Sequence, residues 1–289
     1  MRFVRAICVA ALLFVCSSRA AAEEPRSLRY DTRVDLGVTA MGATWYLMSE
    51  LLKSSLVPEK CRWCYRGDDG GDLLNPYDGW VRHRLLWKDT RSADITSSVL
   101  VGVLEPTSQL GLLALAAGKD DALSGFPLDA LIVAESTVVA GVMNQIVKFG
   151  FARERPFVHY LPRAPTAIRK LTDSPSDDNL SFYSGHTTLA FVVATASGTV
   201  ATMRGYRLAP VVWGAGLTLA TGVGYLRIAA DKHYFSDVVT AAVIGSIVGV
   251  GVPLVFHSPE RAAPSSAGTT SQPLSLPPVR TACSVSGRF

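Results

Sequence analysis

Three polar clusters stand at the edges of apolar runs: Lys148 and Arg155 in "KFGFARERP", Ser184, Gly185 and His186 in "SGH", and Arg227, His233 and Asp237 in "RIAADKHYFSD". Lys148, Arg155 and Arg227 are three cations. A helix that starts at "SGH" offers free backbone N–H groups, Gly185 permits close backbone approach, and Ser184 adds a hydroxyl, so together these groups suit a phosphate. His233 and Asp237 are four residues apart and share a helix face, where the carboxylate can hold the Nδ1 proton and leave Nε2 as a nucleophile. His186 then serves as general acid, protonating a leaving alcohol and later activating water. Taken singly, each cluster is as well read as a helix-end anchor, a dipole partner or a surface pair. Their joint occurrence, with complementary roles, is what points to chemistry.

The elements that must position these residues are helices. No alternating-polarity strand pattern appears, so the expected class is all-α. Val34, Val38, Met41, Trp45, Met48 and Leu52 recur at helical steps, which predicts an amphipathic first helix that packs by this face rather than spanning a membrane. A second helix is expected over about 94–118, with a kink near Glu105 and Pro106, and a third from Pro127 to about Phe149. Three more apolar segments follow, over about 187–203, 208–226 and 234–256; the last two are long enough for a bilayer core of about 30 Å and the first only barely. The first cluster lies at the exit of the third helix and the second at the start of the fourth. Helices four and five then go out and back, so all three clusters should meet at one end of a bundle. Glu105, Glu135 and Asn144 are awkward for lipid exposure and should face its interior.

The flanks set the context. Residues 1–22 carry Arg2 and Arg5, an apolar stretch and then Ala20, Ala21 and Ala22, the pattern of an export signal. In that oxidising setting "CRWC" reads as a structural disulfide between Cys61 and Cys64. Residues 23–93 hold the amphipathic helix and a polar segment in which "RGDDGGD" lacks the later glutamate of a calcium loop and reads as a solvated turn. Residues 94–257 form the helical core, and from 258 a Ser- and Pro-rich tail without apolar period is expected to be disordered. A net charge of +4, without basic runs interleaved with aromatics, argues against a nucleic-acid partner.

Lys, six residues, Arg-Pro; Ser-Gly-His; then Arg, five residues, His, three residues, Asp: with these motifs the stretch from about Leu128 to Val255 resembles the type 2 phosphatidic acid phosphatase (PAP2) superfamily, which also includes class A acid phosphatases and vanadium haloperoxidases. The resemblance implies a six-helix core and phosphomonoester hydrolysis with no cofactor and no metal. It assigns His233 as nucleophile, Asp237 as its orienter, His186 as acid, and Lys148, Arg155, Ser184, Gly185 and Arg227 as phosphate ligands. Two positions depart from it. Tyr183 stands in place of proline, and Leu226 in place of serine, a hydroxyl whose loss should weaken phosphate contacts by about 1 kcal/mol.

The long apolar helices favour a membrane-embedded phosphatase acting on lipid phosphates such as phosphatidic acid, phosphatidylglycerol phosphate or a polyprenyl diphosphate. The alternatives are a soluble periplasmic acid phosphatase for small phosphomonoesters and, further behind, a vanadate-dependent haloperoxidase. Arg204 and Arg207, in the turn opposite the clusters, favour the cytoplasm and so place the site on the periplasmic side of a bacterial-type inner membrane.

Overall fold

Apolar runs bounded by capping residues set the helices of the computed structural model, which describes residues 25–58, 60–66, 71–160 and 177–259. Helix α1 is Thr32–Leu51, with the Asp31 carboxylate accepting from Arg33 N and Val34 N at its start. Helix α2, Pro76–Leu85, is capped by Asn75. Helix α3, Thr90–Val99, runs through a π-helical stretch, Leu100–Leu104, into α4, Glu105–Lys119. Pro106 has no N–H to give the preceding turn, and the widened turn stands directly before it, where a kink was expected. Then come α5 (Phe126–Phe151), α6 (Gly185–Arg204), α7 (Ala209–Ala229) and α8 (Phe235–Phe256). The described residues form no strand beyond isolated bridges, so the chain is all-α. The expected count of six is not exact: among the described residues six long rods, with α3 and α4 taken as one, are joined by α2 and by single helical turns. The export segment, residues 67–70 of the polar turn and nearly all of the expected tail lie outside the described residues.

Four of these rods are long and apolar enough to cross a membrane: Thr90–Lys119, Leu123–Phe151, Ala209–Ala229 and Phe235–Phe256. They surround α6, which packs against α8, α7, α5 and α4 and is buried over most of its circumference. Close approach to α8 rests on small residues: a Cβ at Gly249 would lie 2.1 Å from Thr195 Oγ1. An α6 rich in Ala, Thr, Ser and Gly lets neighbouring backbones come near.

The pattern of burial is inverted relative to a water-soluble bundle. Glu105, Gln109, Glu135, Ser136, Asn144 and Gln145 point inward, whereas Met143, Ile146, Val239, Val243, Ile247 and Val255 point outward. Helix α1 corrects the expectation drawn from its periodicity. Val34, Met41, Trp45, Met48 and Leu52 face out, and the buried side chains are Asp35 and Ser49. An apolar stripe turns inward only when water is outside; here the polar stripe finds partners inside, since Gln145 on α5 donates to Glu50 and to Ser49 Oγ. The N-terminal segment is fastened at the opposite end, where His257 lies 3.1 Å from Glu135 Oε2 and its other ring nitrogen 3.1 Å from the Arg29 carbonyl.

Candidate active site

The site begins with how four helix ends are terminated. Helix α5 delivers Lys148 in its last turn and stops where Ala152 adopts a left-handed conformation, which turns the chain toward Arg155. Ser184 caps α6, its oxygen accepting from Thr187 N and from the Thr187 hydroxyl at 2.9 Å. Helix α7 ends just past Arg227, and the Asp237 carboxylate accepts from Tyr234 N at 2.9 Å to start α8. His233 therefore sits in the short connection between two rods.

These ends enclose a cavity of about 350 Å³. Lys148, Arg155, Gly185, His186, Arg227 and His233 line it. Ser184 and Asp237, also expected at the site, are fully buried beside it and do not line it. The hydroxyl of Ser184 is committed to the helix cap. Gly185 is needed for space, since a Cβ there would come 3.0 Å from Asn144 Oδ1 and 3.1 Å from Lys148 Nζ. Leu226 does not reach the cavity either. It packs with Ala93, Ala229 and Ala230, while Ser97 accepts from Arg227 at 2.9 Å.

The histidine geometry departs from the simplest reading of the spacing. His233 Nδ1 is 2.8 Å from the Ser181 carbonyl and 3.7 Å from Asp237 Oδ2. A carbonyl only accepts, so Nδ1 carries the hydrogen and the neutral ring keeps its Nε2 lone pair free. Asp237 acts one step back: its Oδ2 accepts from the Ser181 hydroxyl at 2.6 Å, and Arg153 holds its other oxygen. Burial first, then the nearby charges of Arg155, Arg227 and Lys148, hold the His233 proton affinity well below its ordinary value. His186 Nε2 is 3.2 Å from Ser98 Oγ. Burial and the same three cations also push His186 down.

Several groups that motif spacing does not announce complete the lining: Tyr46, Glu50 and Lys53 near the end of α1, Asp94 and Ser98 from α3, Asp177 and Lys232. Arg227 donates to Asp94 at 2.5 Å, and Lys53 lies 2.8 Å from Asp177. Arg155 Nε donates to the Asp177 carbonyl at 2.6 Å. Each cavity carboxylate thus faces a lysine or arginine. Among the described residues, the one group with metal-ligand proximity is Asp35, Glu135 and His257, whose ligand atoms lie within 4.8 Å of one another away from this cavity.

Residues 129–261 match the model of the PAP2 superfamily. No curated protein matches the chain. Among solved structures, the chain is similar to the first transmembrane PAP2-type phosphatidylglycerolphosphate phosphatase from Bacillus subtilis, at 18% identity over 61% of this chain and 90% of that one, with a TM-score of 0.34. The matched segment contains all three polar clusters, and over it the chain is similar to the PAP2 superfamily.

Proposed function

We propose that this protein is a membrane-embedded phosphatase that hydrolyses phosphomonoesters of lipids through a phosphohistidine on His233, without a metal. The observation that carries the reading is the His233 ring itself. Its Nδ1–H is fixed on the Ser181 carbonyl, and it sits in a cavity lined by Lys148, Arg155 and Arg227. A neutral, oriented imidazole beside three cations is what attack on a phosphoryl group requires.

In the first step Nε2 forms a bond to phosphorus while the bond from phosphorus to the alcohol oxygen breaks. His186 gives its proton to the departing alkoxide. Water then attacks phosphorus, His186 takes the water's proton, and the P–N bond breaks to release phosphate. Burial and then the three cations lower the proton affinity of His186; a bound phosphate opposes the cations' share and so favours the protonated ring in the complex. Those cations balance the phosphoryl charge, a task that metal ions perform in other phosphoryl-transfer enzymes.

The outer surface supports a lipid substrate. Outward apolar side chains on α1, α5 and α8 and the four long apolar rods suit a bilayer, and a cavity at the rod ends meets a headgroup there. Arg204 and Arg207 lie at the opposite end of α6 and just beyond it, which favours that end in the cytoplasm and the cavity on the exported side. The test is a substrate panel on protein purified in detergent. Phosphatidic acid or another lipid monoester should be hydrolysed with kcat/KM at least tenfold above a short-chain soluble ester. Equal rates on both would overturn the lipid assignment, and no phosphate release from any ester would overturn the phosphatase.

A further inference from the structure

Arg153 lies inside the six-residue gap between Lys148 and Arg155, where the family motif names no residue, and it does not line the cavity. Its guanidinium is 1% exposed. It donates to Asp237, to Ser236 Oγ at 2.9 Å and to Asp78 Oδ2 at 3.0 Å. Aromatic rings enclose it, with the centroids of Trp63 and Tyr234 each 4.4 Å away and that of Tyr65 at 5.0 Å. Trp63 is the centre of the loop closed by the Cys61–Cys64 disulfide, and its carbonyl accepts from Glu154 N at 3.1 Å, which lays this loop along the Arg153 backbone. Asp78 comes from α2 and also accepts from Ser236 N at 2.8 Å. Two elements outside residues 129–261 therefore hold one arginine in place.

That arginine reaches the nucleophile by two routes that meet at Ser181. The Arg153 carbonyl accepts from Ser181 N at 3.0 Å, and its guanidinium holds Asp237, which accepts from the Ser181 hydroxyl. The Ser181 carbonyl in turn fixes His233 Nδ1–H. We propose that Arg153 is a positioning residue: held by Asp78 and by Trp63 of the disulfide loop, it sets Asp237 and Ser181 and so the tautomer and aim of His233. The inference rests on His233 being the nucleophile. Only a planar fork serves three acceptors while stacked between rings; a lysine keeps the charge and loses the geometry.

The charge of Arg153 also has a consequence for titration. Burial and then Arg155, Arg227 from α7, Lys148 from α5 and His186 from α6 lower the proton affinity of His233, and the Asp237 carboxylate of α8 lies 3.7 Å from its Nδ1. Arg153 offsets Asp237. Neutralising Arg153 lets Asp237 take up a proton at higher pH and lose its charge-assisted hold on Ser181, so the acid limb of kcat/KM should move to higher pH.

The experiment uses the full chain in detergent, a chromogenic phosphomonoester and a thermal melt. Arg153→Lys should lower kcat about 10- to 100-fold with KM within about twofold, as for partners that orient a reacting group. Trp63→Leu should do the same to a smaller extent, and Arg153→Gln should shift the acid limb upward. Full kcat in both Arg153→Lys and Trp63→Leu would overturn the positioning role, as would an unmoved acid limb in a folded Arg153→Gln. Should Arg153→Gln not fold, the first two variants decide. A wild type that releases no phosphate would overturn the proposed function instead, so the two failures are told apart.

Discussion

The two ends of the bundle treat their cations differently. At the end away from the cavity, Arg204 donates to Asp129 at 2.7 Å, Tyr206 donates to the same carboxylate at 2.8 Å, and Arg207 pairs with Asp120. Cations and carboxylates there are matched. At the cavity end, among the described residues, Arg155 donates to the carbonyl oxygens of Asp177 at 2.6 Å and Lys232 at 3.5 Å and forms no ion pair, and neither does Lys148. Positive charge buried without a partner is costly and persists where something else compensates it. At the far end each of these cations has a carboxylate; at the cavity end Arg227 and Lys53 keep carboxylate partners, while Lys148 and Arg155 are the cations left to meet an anion.

Substitutions at the two ends should therefore fail in opposite ways. The largest effect is expected at the cavity. His233→Ala should lower kcat by at least about 10³-fold, and Lys148→Met or Arg155→Leu by about 10²- to 10³-fold, the range for removing one preorganised donor to a developing charge. Lys148→Met should leave the thermal midpoint unchanged or raise it, because a desolvated cation is removed. At the far end Asp129→Asn should do the reverse. It leaves Arg204 uncompensated and should destabilise the fold by about 3 kcal/mol or more, while kcat per folded molecule stays within about twofold of wild type. Calorimetry and steady-state kinetics on the same preparations check both. A Lys148→Met variant that loses stability, or an Asp129→Asn variant that loses kcat, would break the contrast.

A smaller effect concerns pH. The folded-state pKa of His233 lies below the ordinary 6.5 of the unfolded chain. Below about pH 6.5 the unfolded state binds a proton that the folded state does not, so stability should be full above that pH and fall beneath it by up to about 1.4 kcal/mol per pH unit for this group. Comparing thermal midpoints of wild type and His233→Asn between pH 7 and 5 isolates the contribution, and parallel curves would contradict it. The smallest expected change is with chelators: EDTA should leave the rate within about twofold.

How much of this was legible beforehand differs by region, for physical reasons. Lys148, Arg155, Gly185, His186, Arg227 and His233 are readable because each sits at a helix end whose start or stop is marked locally, and alternating helix direction brings those ends together. Pro127 likewise falls in the first turn of α5, as its missing N–H suggests. Arg153 was hidden by its own neighbours, since nothing in "ARERP" separates an arginine that meets an anion from one that meets Asp237. Asp78, Asp94 and Lys53 reach the site across large sequence separations, such as the 133 residues between Asp94 and Arg227, which spacing does not encode. The helix start at Asn75 and Pro76 in "NPYDGW" gives no sign that Asp78 meets Arg153. The face of α1 was misread because periodicity reports which residues share a face and not which solvent that face meets.

Trapping tests most directly whether His233 is the nucleophile. Wild-type protein mixed with phosphorus-labelled lipid monoester, quenched within milliseconds and digested under alkaline conditions should carry label on a peptide containing His233. The linkage should be stable to base and lost in acid, as for phosphohistidine, and absent from His233→Ala. Label on another residue, or undiminished turnover by purified His233→Ala, would contradict it.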